Sequence, residues 1–128
     1  MSLRDLRRLR GDRRGATAVE FALICPVLFA ALLGLIEVGR LGWTQSSLQF
    51  AVEEAARCAS IRADICGTAA QTASYAASRA PAPQIRAAAF TRTTEACGVQ
   101  VRARLSYAFV AKGLLPSGPV LTARSCRP

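Results

Sequence analysis

Residues 16–36 read ATAVEFALICPVLFAALLGLI, and Glu20 is the one charged side chain among them. A helix rises about 1.5 Å per residue, so this stretch would extend about 31 Å, close to the thickness of the hydrocarbon core of a bilayer. The part from Phe21 to Ile36 is wholly uncharged. We therefore predict a transmembrane helix over residues 16–38.

Basic residues are concentrated just before this stretch. The chain has a net charge of +9, and residues 1–15 hold six arginines against two aspartates. Arginines beside an apolar helix hold that end in the cytoplasm, and Arg40 is the one basic residue close to the other end. A nucleic-acid-binding arm is the alternative, but the apolar span that follows favours the membrane. We predict a basic cytoplasmic leader at residues 1–15 and no nucleic-acid partner.

A cleaved secretory signal peptide is a second alternative for the apolar segment. Such a peptide has a shorter apolar region that ends at a small-x-small cleavage site. Here the segment runs into Glu37-Val-Gly-Arg40, and the helical pattern continues beyond it. We therefore expect the span to stay in the protein. Glu37 and Arg40 lie three residues apart, and we expect them to form a local pair.

The pattern after the span predicts a long helix that changes character along its length. Apolar residues recur at helical spacing at Leu48, Ala51, Val52, Ala55 and Ala59. We predict one helix from about Ala16 to about Ser60, with its first half in lipid and its second half amphipathic.

The rest of the chain predicts a small domain at residues 39–128. Alanines at helical spacing indicate a shorter helix at Thr68–Arg79. Alternating residues indicate a weak strand at 85–89, a strong strand at 99–109 and a final strand at Val120–Ser125, with a turn at Lys112–Gly118. The expected fold class is α+β: a long N-terminal helix with a small disulfide-stapled antiparallel sheet of about three strands.

Glu20 is the residue of the span that needs an explanation. A charged side chain costs about 2.5–3.5 kcal/mol at mid-span on insertion scales, and less near the membrane edge. Cleavage after Gly15 would place a positive α-amino group on Ala16 and make Glu20 the fifth residue of the mature chain. The ammonium group of a neighbouring subunit could then neutralise Glu20 within lipid.

This region resembles the processing site of type IV pilin-like proteins. The resemblance rests on arginines, Gly15, four small or apolar residues, Glu20, Phe21 and the hydrophobic helix that follows. Within that group, RRGATAVEFALICPVLFAALLGLIEVGR (residues 13–40) is similar to the TadE family of the tight-adherence pilus system, over about residues 12–60. The resemblance implies cleavage between Gly15 and Ala16 by a prepilin peptidase. It also implies that Glu20 and Phe21 set assembly and register in a minor pilin or pseudopilin of a tight-adherence (Flp-type) pilus.

The resemblance also implies partners and a location. The partners are the lipid bilayer, the prepilin peptidase, other pilin or pseudopilin subunits and the pilus assembly machinery. The location is the bacterial inner membrane, in a single pass with the N-terminus cytoplasmic and a pilin-like domain at 39–128 in the periplasm, or in the pilus after assembly. The alternative is an uncleaved single-pass membrane protein whose periplasmic domain binds a partner.

Four of the five cysteines lie in the predicted outer domain, at Cys58, Cys66, Cys97 and Cys126. Four cysteines allow three pairings, of which local geometry favours Cys58–Cys66 and Cys97–Cys126. Each bridge would contribute about 2–4 kcal/mol to a small domain. A zinc site is the alternative, which the spacing and the lack of histidine disfavour. Cys25, within the span, is interpreted as a small apolar residue.

Catalysis is not expected from this sequence. The chain has no histidine, and its serine, aspartate and lysine residues form no nucleophile–base pattern. No cofactor and no metal is therefore expected, and the chain is predicted not to be an enzyme. Arg102 and Arg104 share the polar face of the strong strand, and we interpret them as a solvated sheet edge, with contact to an anionic partner as the alternative.

Overall fold

The computed structural model describes residues 14–110, 113 and 117–128. Residues 1–13 of the predicted leader (residues 1–15) and most of the turn at Lys112–Gly118 lie outside the described residues. The chain divides into two compact units, one ending at Ile36 and the other spanning Glu37–Pro128. In chain order the elements are α1 (Arg14–Ile61), α2 (Ala63–Cys66), α3 (Ala69–Arg79), a 3-10 turn (Ala87–Ala89), β1 (Phe90–Glu95), β2 (Gly98–Ser106) and β3 (Val120–Arg127).

The part of α1 that belongs to the first unit is apolar on all sides. Its large apolar side chains are exposed, from Val19 at 60% to Ile36 at 59%, and Cys25 is partly buried. A helix that is hydrophobic all round requires an apolar environment, either a protein core or a membrane. By length and composition α1 is able to cross a membrane, which supports membrane anchoring of the chain.

The second half of α1 is amphipathic, as predicted. Its buried stripe includes the predicted residues Leu48, Ala51, Val52, Ala55 and Ala59 together with Ala56. Most of this stripe belongs to a single core cluster with residues of all three strands, among them Phe90, Val101 and Leu121. The small domain therefore forms its core by packing a sheet against this half of the helix.

The helix α3 begins at a well-defined cap. The Thr68 hydroxyl accepts a hydrogen bond from the Gln71 backbone N–H (3.2 Å), and the Gln71 side chain accepts one from the Thr68 N–H (3.0 Å). This reciprocal pair is a capping box, which satisfies two amide groups that a helix start leaves without partners. The predicted helix is confirmed to within one residue. The four-residue α2 was not predicted.

The sheet is antiparallel, with the strand order β1-β2-β3. The turn between β1 and β2 places Glu95 opposite Gly98. Gly98 has a φ of +114°, and a Cβ there would overlap the backbone of Arg127, so this hairpin requires glycine. Because β2 is the central strand, our interpretation of Arg102 and Arg104 as a sheet edge is wrong.

The predicted strand at residues 85–89 is also wrong. Ile85 is buried in the core, and Ala87–Ala89 form a 3-10 turn. Alanine has no branched or aromatic side chain to pack on a pleated surface, so an alternating pattern built on it is a weak strand signal. The first strand instead follows directly, at Phe90–Glu95.

The other two strands are found where the sequence places them, with shifted ends. The predicted strand at 99–109 ends at Ser106, and the N–H of the next residue, Tyr107, donates to the Pro119 carbonyl at 3.0 Å. The final strand extends two residues beyond Ser125, to Arg127. The predicted α+β architecture is confirmed.

Candidate functional site: the start of the long helix and the Glu37 cluster

The residues predicted to direct processing and assembly lie in the first two turns of α1. Gly15, Ala16, Glu20 and Phe21 are all helical and all exposed. Ala16 and Glu20 are four positions apart and therefore lie on one face, one above the other. Phe21 lies beside them with 69% of its surface exposed. The surface that would meet another helix thus combines a carboxylate with an aromatic ring.

The Glu20 carboxylate has no charged neighbour on its own helix. The residues three and four positions away, at which helical side chains meet, are Ala16, Thr17, Leu23 and Ile24, none of which has a charged side chain. Among the side chains of residues 15–110 and 117–128, no hydrogen bond and no ion pair of the structure engages Glu20. A carboxylate in an apolar environment is costly unless it is paired with a cation or hydrogen-bonded.

A second polar cluster lies at Glu37, in the unit Glu37–Pro128, which we call the outer unit after its predicted position outside the membrane. One carboxylate oxygen of Glu37 accepts hydrogen bonds from the Arg40 guanidinium (3.2 Å) and from the Tyr107 hydroxyl (2.7 Å). The predicted pair of Glu37 with Arg40 is confirmed. Tyr107, 70 residues further along the chain, was not predicted to join it. The cluster ties α1, at the point where the outer unit begins, to Tyr107, the residue directly after β2.

Tyr107 is held by its ring as well as by its hydroxyl. The residue is 4% exposed, and its ring packs edge to face against Phe109 with the centroids 5.6 Å apart. The Arg40 guanidinium lies 5.9 Å from the ring centroid, within the range of a cation–π contact. Burial, together with the hydrogen bond to Glu37, raises the pKa of Tyr107, and the charge of Arg40 opposes this shift.

A second link joins α1 to the segment that precedes β1. The Thr44 hydroxyl is buried and donates to the Arg40 carbonyl (2.8 Å), while it accepts from the Gln84 amide (2.8 Å). Gln84 lies 40 residues from Thr44. Two side-chain contacts of long sequence separation therefore fix this part of α1 to the rest of the outer unit.

We expect Tyr107→Phe to destabilise the outer unit by about 1.5–3 kcal/mol, because it removes a hydrogen bond to a charged group. For a domain of this size the fall in Tm would be on the order of 10 °C. Near-ultraviolet circular dichroism of the full chain in a neutral detergent measures it. Tyr75→Phe is the matched control, since the Tyr75 hydroxyl makes no hydrogen bond within the described residues. Equal losses in the two variants would contradict the assigned role of the hydroxyl.

The same variant has an expected pH dependence. Because the pKa of Tyr107 is raised by folding, the native state keeps this proton at a pH where the unfolded chain has lost it. The contribution to stability is complete below about pH 10, the ordinary tyrosine value, and decreases as the pH rises above it. As the pH rises above about 10, Tyr107→Phe should therefore lose less stability than the wild type. Parallel curves for the two proteins would count against the raised pKa.

The four outer cysteines form two bridges, Cys58–Cys66 and Cys97–Cys126, with Cα atoms 5.8 and 6.2 Å apart. This is the pairing that the sequence favours. The first bridge closes the end of α1 onto α2, and the second ties the β1–β2 turn to the end of β3. Cys25 is free and partly buried.

Comparison with known proteins gives one family match. Residues 15–57 match the family model described as TadE-like protein. The matched segment contains Glu20, Glu37 and Arg40, and it begins at Gly15. No curated protein and no solved structure matches the chain.

Proposed function

We propose that the chain is a minor pilin or pseudopilin-like subunit of a Tad pilus, a proposal supported by the match of residues 15–57 to the TadE-like family model. It takes part in assembly of a tight-adherence (Flp-type) pilus after a prepilin peptidase removes its leader. The observation that carries the proposal is the exposed Glu20 carboxylate, which has no cation among the described residues and lies one helical turn from Ala16.

The leader orients the precursor. Its six arginines hold the N-terminus on the cytoplasmic side of the bacterial inner membrane, and the unit Glu37–Pro128 is then on the periplasmic side. The periplasm is oxidising, and the two disulfides of the outer unit accord with that compartment.

Cleavage between Gly15 and Ala16 changes the electrostatics of the helix start. It removes the arginine-rich segment and leaves an ammonium group on Ala16 in the same turn as Glu20. The ammonium group of one subunit pairs with the Glu20 carboxylate of its neighbour, so that both charges are neutralised in lipid. Because the pair forms at a single axial offset between two helices, Glu20 sets their register.

The rest of the helix surface supplies the packing. The side chains from Phe21 to Ile36 are uncharged, and all except the partly buried Cys25 are exposed, so they accept either lipid or a neighbouring helix. When a neighbouring helix replaces lipid around this surface, the amount of buried apolar area changes little. Packing and polar contacts therefore determine which helix binds. The function proposed is thus assembly through contact rather than catalysis, with other pilin subunits and the assembly machinery as partners.

The proposal is tested by deletion and complementation in the native bacterium. We expect loss of the gene to abolish or strongly reduce Tad pili and surface attachment, and the wild-type copy to restore both. Electron microscopy counts the pili, and an epitope-tagged chain shows by crosslinking whether pilin subunits contact it. Normal piliation and attachment in the deletion strain would contradict a role in assembly.

A further inference from the structure

The solvent face of the sheet carries a cluster of arginines that the proposed function does not use. Arg102 and Arg104 lie two residues apart on the central strand, and Arg124 lies directly opposite Arg102 on β3. Thr122 is opposite Arg104, and Thr91 of β1 is opposite Arg102. Because paired residues share a face, the three guanidinium groups and two hydroxyl groups occupy one side of the sheet. We call this surface the arginine face.

The charge of the arginine face is mostly uncompensated. Glu95 lies 3.5 Å from Arg102 and is an exposed partner. Within the part of the chain that the structure describes, no carboxylate lies within ion-pair distance of Arg104 or Arg124. Like charges directly opposite each other on neighbouring strands are unfavourable for the sheet. An anion bound between Arg102 and Arg124 would relieve that repulsion.

The arginine face is part of a groove rather than a flat surface. A cavity of about 650 Å³ is lined by all three arginines and both threonines. The remaining lining residues are Gln49 and four alanines, Ala88, Ala89, Ala103 and Ala123. Ala103 and Ala123 are buried on the core face of the sheet, so the accessible lining is formed by the small Ala88 and Ala89 and by guanidinium, hydroxyl and amide groups, which supply hydrogen-bond donors.

From this arrangement we propose that the groove binds an extended, acidic segment of a partner polypeptide. Alternate residues of an extended chain are about 6.6–7 Å apart and point to the same side. Acidic side chains at such positions match the spacing of Arg102 and Arg104, which are themselves alternate residues of a strand. Guanidinium groups bind carboxylates through two parallel hydrogen bonds, which gives the site both affinity and direction.

Other polyanions fit the groove less well. Single-stranded nucleic acid binds where bases stack on aromatic rings, and the lining residues include no aromatic side chain. Surfaces that bind membranes combine basic residues with large apolar ones that enter the acyl boundary, and the lining residues include no large apolar side chain either. The proposal concerns the outer unit alone and does not depend on cleavage of the leader.

The test measures binding to the full chain in nanodiscs of zwitterionic lipid. The probe is a fluorescent ten-residue peptide of alternating glutamate and threonine, and its lysine–threonine counterpart is the control peptide. We expect the acidic peptide to bind and Arg104→Gln/Arg124→Gln to weaken it by at least about tenfold, since two charge-assisted contacts are lost. The matched variant Arg57→Gln/Arg79→Gln removes the same charge from exposed positions outside the groove. It should change the affinity by less than about twofold.

Two further measurements test the proposal: the Tm of the groove variant, and the binding of duplex DNA and of phosphatidylglycerol nanodiscs to the wild type. The Tm of Arg104→Gln/Arg124→Gln should equal or exceed that of the wild type, because the variant removes repulsion and buries nothing new. Three results would each overturn the proposal: no binding of the acidic peptide, equal weakening in both double variants, or tighter binding of duplex DNA or of phosphatidylglycerol nanodiscs than of the peptide.

Discussion

We expect replacement of Glu20 by alanine to leave the chain in the membrane but to exclude it from the proposed pilus assembly. Insertion should not suffer, because the substitution deletes a charge that is costly in lipid. Assembly should suffer, because the ammonium group on Ala16 of the neighbouring subunit then has no carboxylate. A lost charge-assisted contact of about 1.5–3 kcal/mol corresponds to about a ten- to hundredfold loss of incorporation. Quantitative immunoblotting of sheared pili against total membrane protein measures the ratio.

Three further variants separate charge from shape. Glu20→Gln keeps the size of the side chain without its charge and should behave like Glu20→Ala, whereas Glu20→Asp should retain most of the incorporation. Glu53→Gln removes one negative charge from an exposed position of the outer unit and should have no effect. If Glu20→Gln is incorporated like the wild type, the proposed pairing between subunits is wrong.

Removal of the Cys97–Cys126 bridge is the change expected to destabilise the outer unit most. The bridge closes a loop with a sequence separation of 29, against 8 for Cys58–Cys66. In the chain-entropy model these loops correspond to about 3.5 and about 2.5 kcal/mol. We therefore expect Cys97→Ser/Cys126→Ser to lower the Tm by roughly 15–25 °C.

Thermal unfolding of the full chain in neutral detergent, followed by near-ultraviolet circular dichroism, measures this loss. Cys58→Ser/Cys66→Ser is the matched pair and should lower the Tm by a smaller amount. Cys25→Ala controls for the loss of a cysteine that forms no bridge and should leave the Tm nearly unchanged. A Tm for Cys97→Ser/Cys126→Ser within about 2 °C of the wild type, a shift worth less than 1 kcal/mol, would contradict the expected contribution.

The features set by local sequence could be predicted. The run from Phe21 to Ile36 is continuously uncharged, and apolar residues recur at helical spacing from Leu48 to Ala59, so the ends of the long helix were predictable to within two residues. The alternation of apolar and polar residues from Val99 onward likewise indicated β2. The sequence left three cysteine pairings open and favoured the observed one, because Cys58 and Cys66 lie close together in the chain.

Features set by contacts between distant residues could not be predicted. The strand β1 consists largely of exposed threonine and charged residues, so its apolar signal is weak and its pairing with β2 defines it. The Glu37–Tyr107 hydrogen bond joins residues 70 apart, and no local pattern indicates such a partner. The arginine face requires the register of β2 with β3, which brings Arg124 opposite Arg102.

The proposed pairing between subunits requires removal of the leader, and the N-terminus of the protein in cells shows directly whether the leader is removed. Intact-mass and N-terminal peptide analysis should show a chain that begins at Ala16 in cells with prepilin peptidase and an uncleaved chain in cells without it. Gly15→Leu, expressed beside the wild type, should stay uncleaved because a large side chain replaces the small residue at the cleavage position. A chain that keeps residues 1–15 in piliated wild-type cells would contradict the account and leave an anchored periplasmic domain as the alternative.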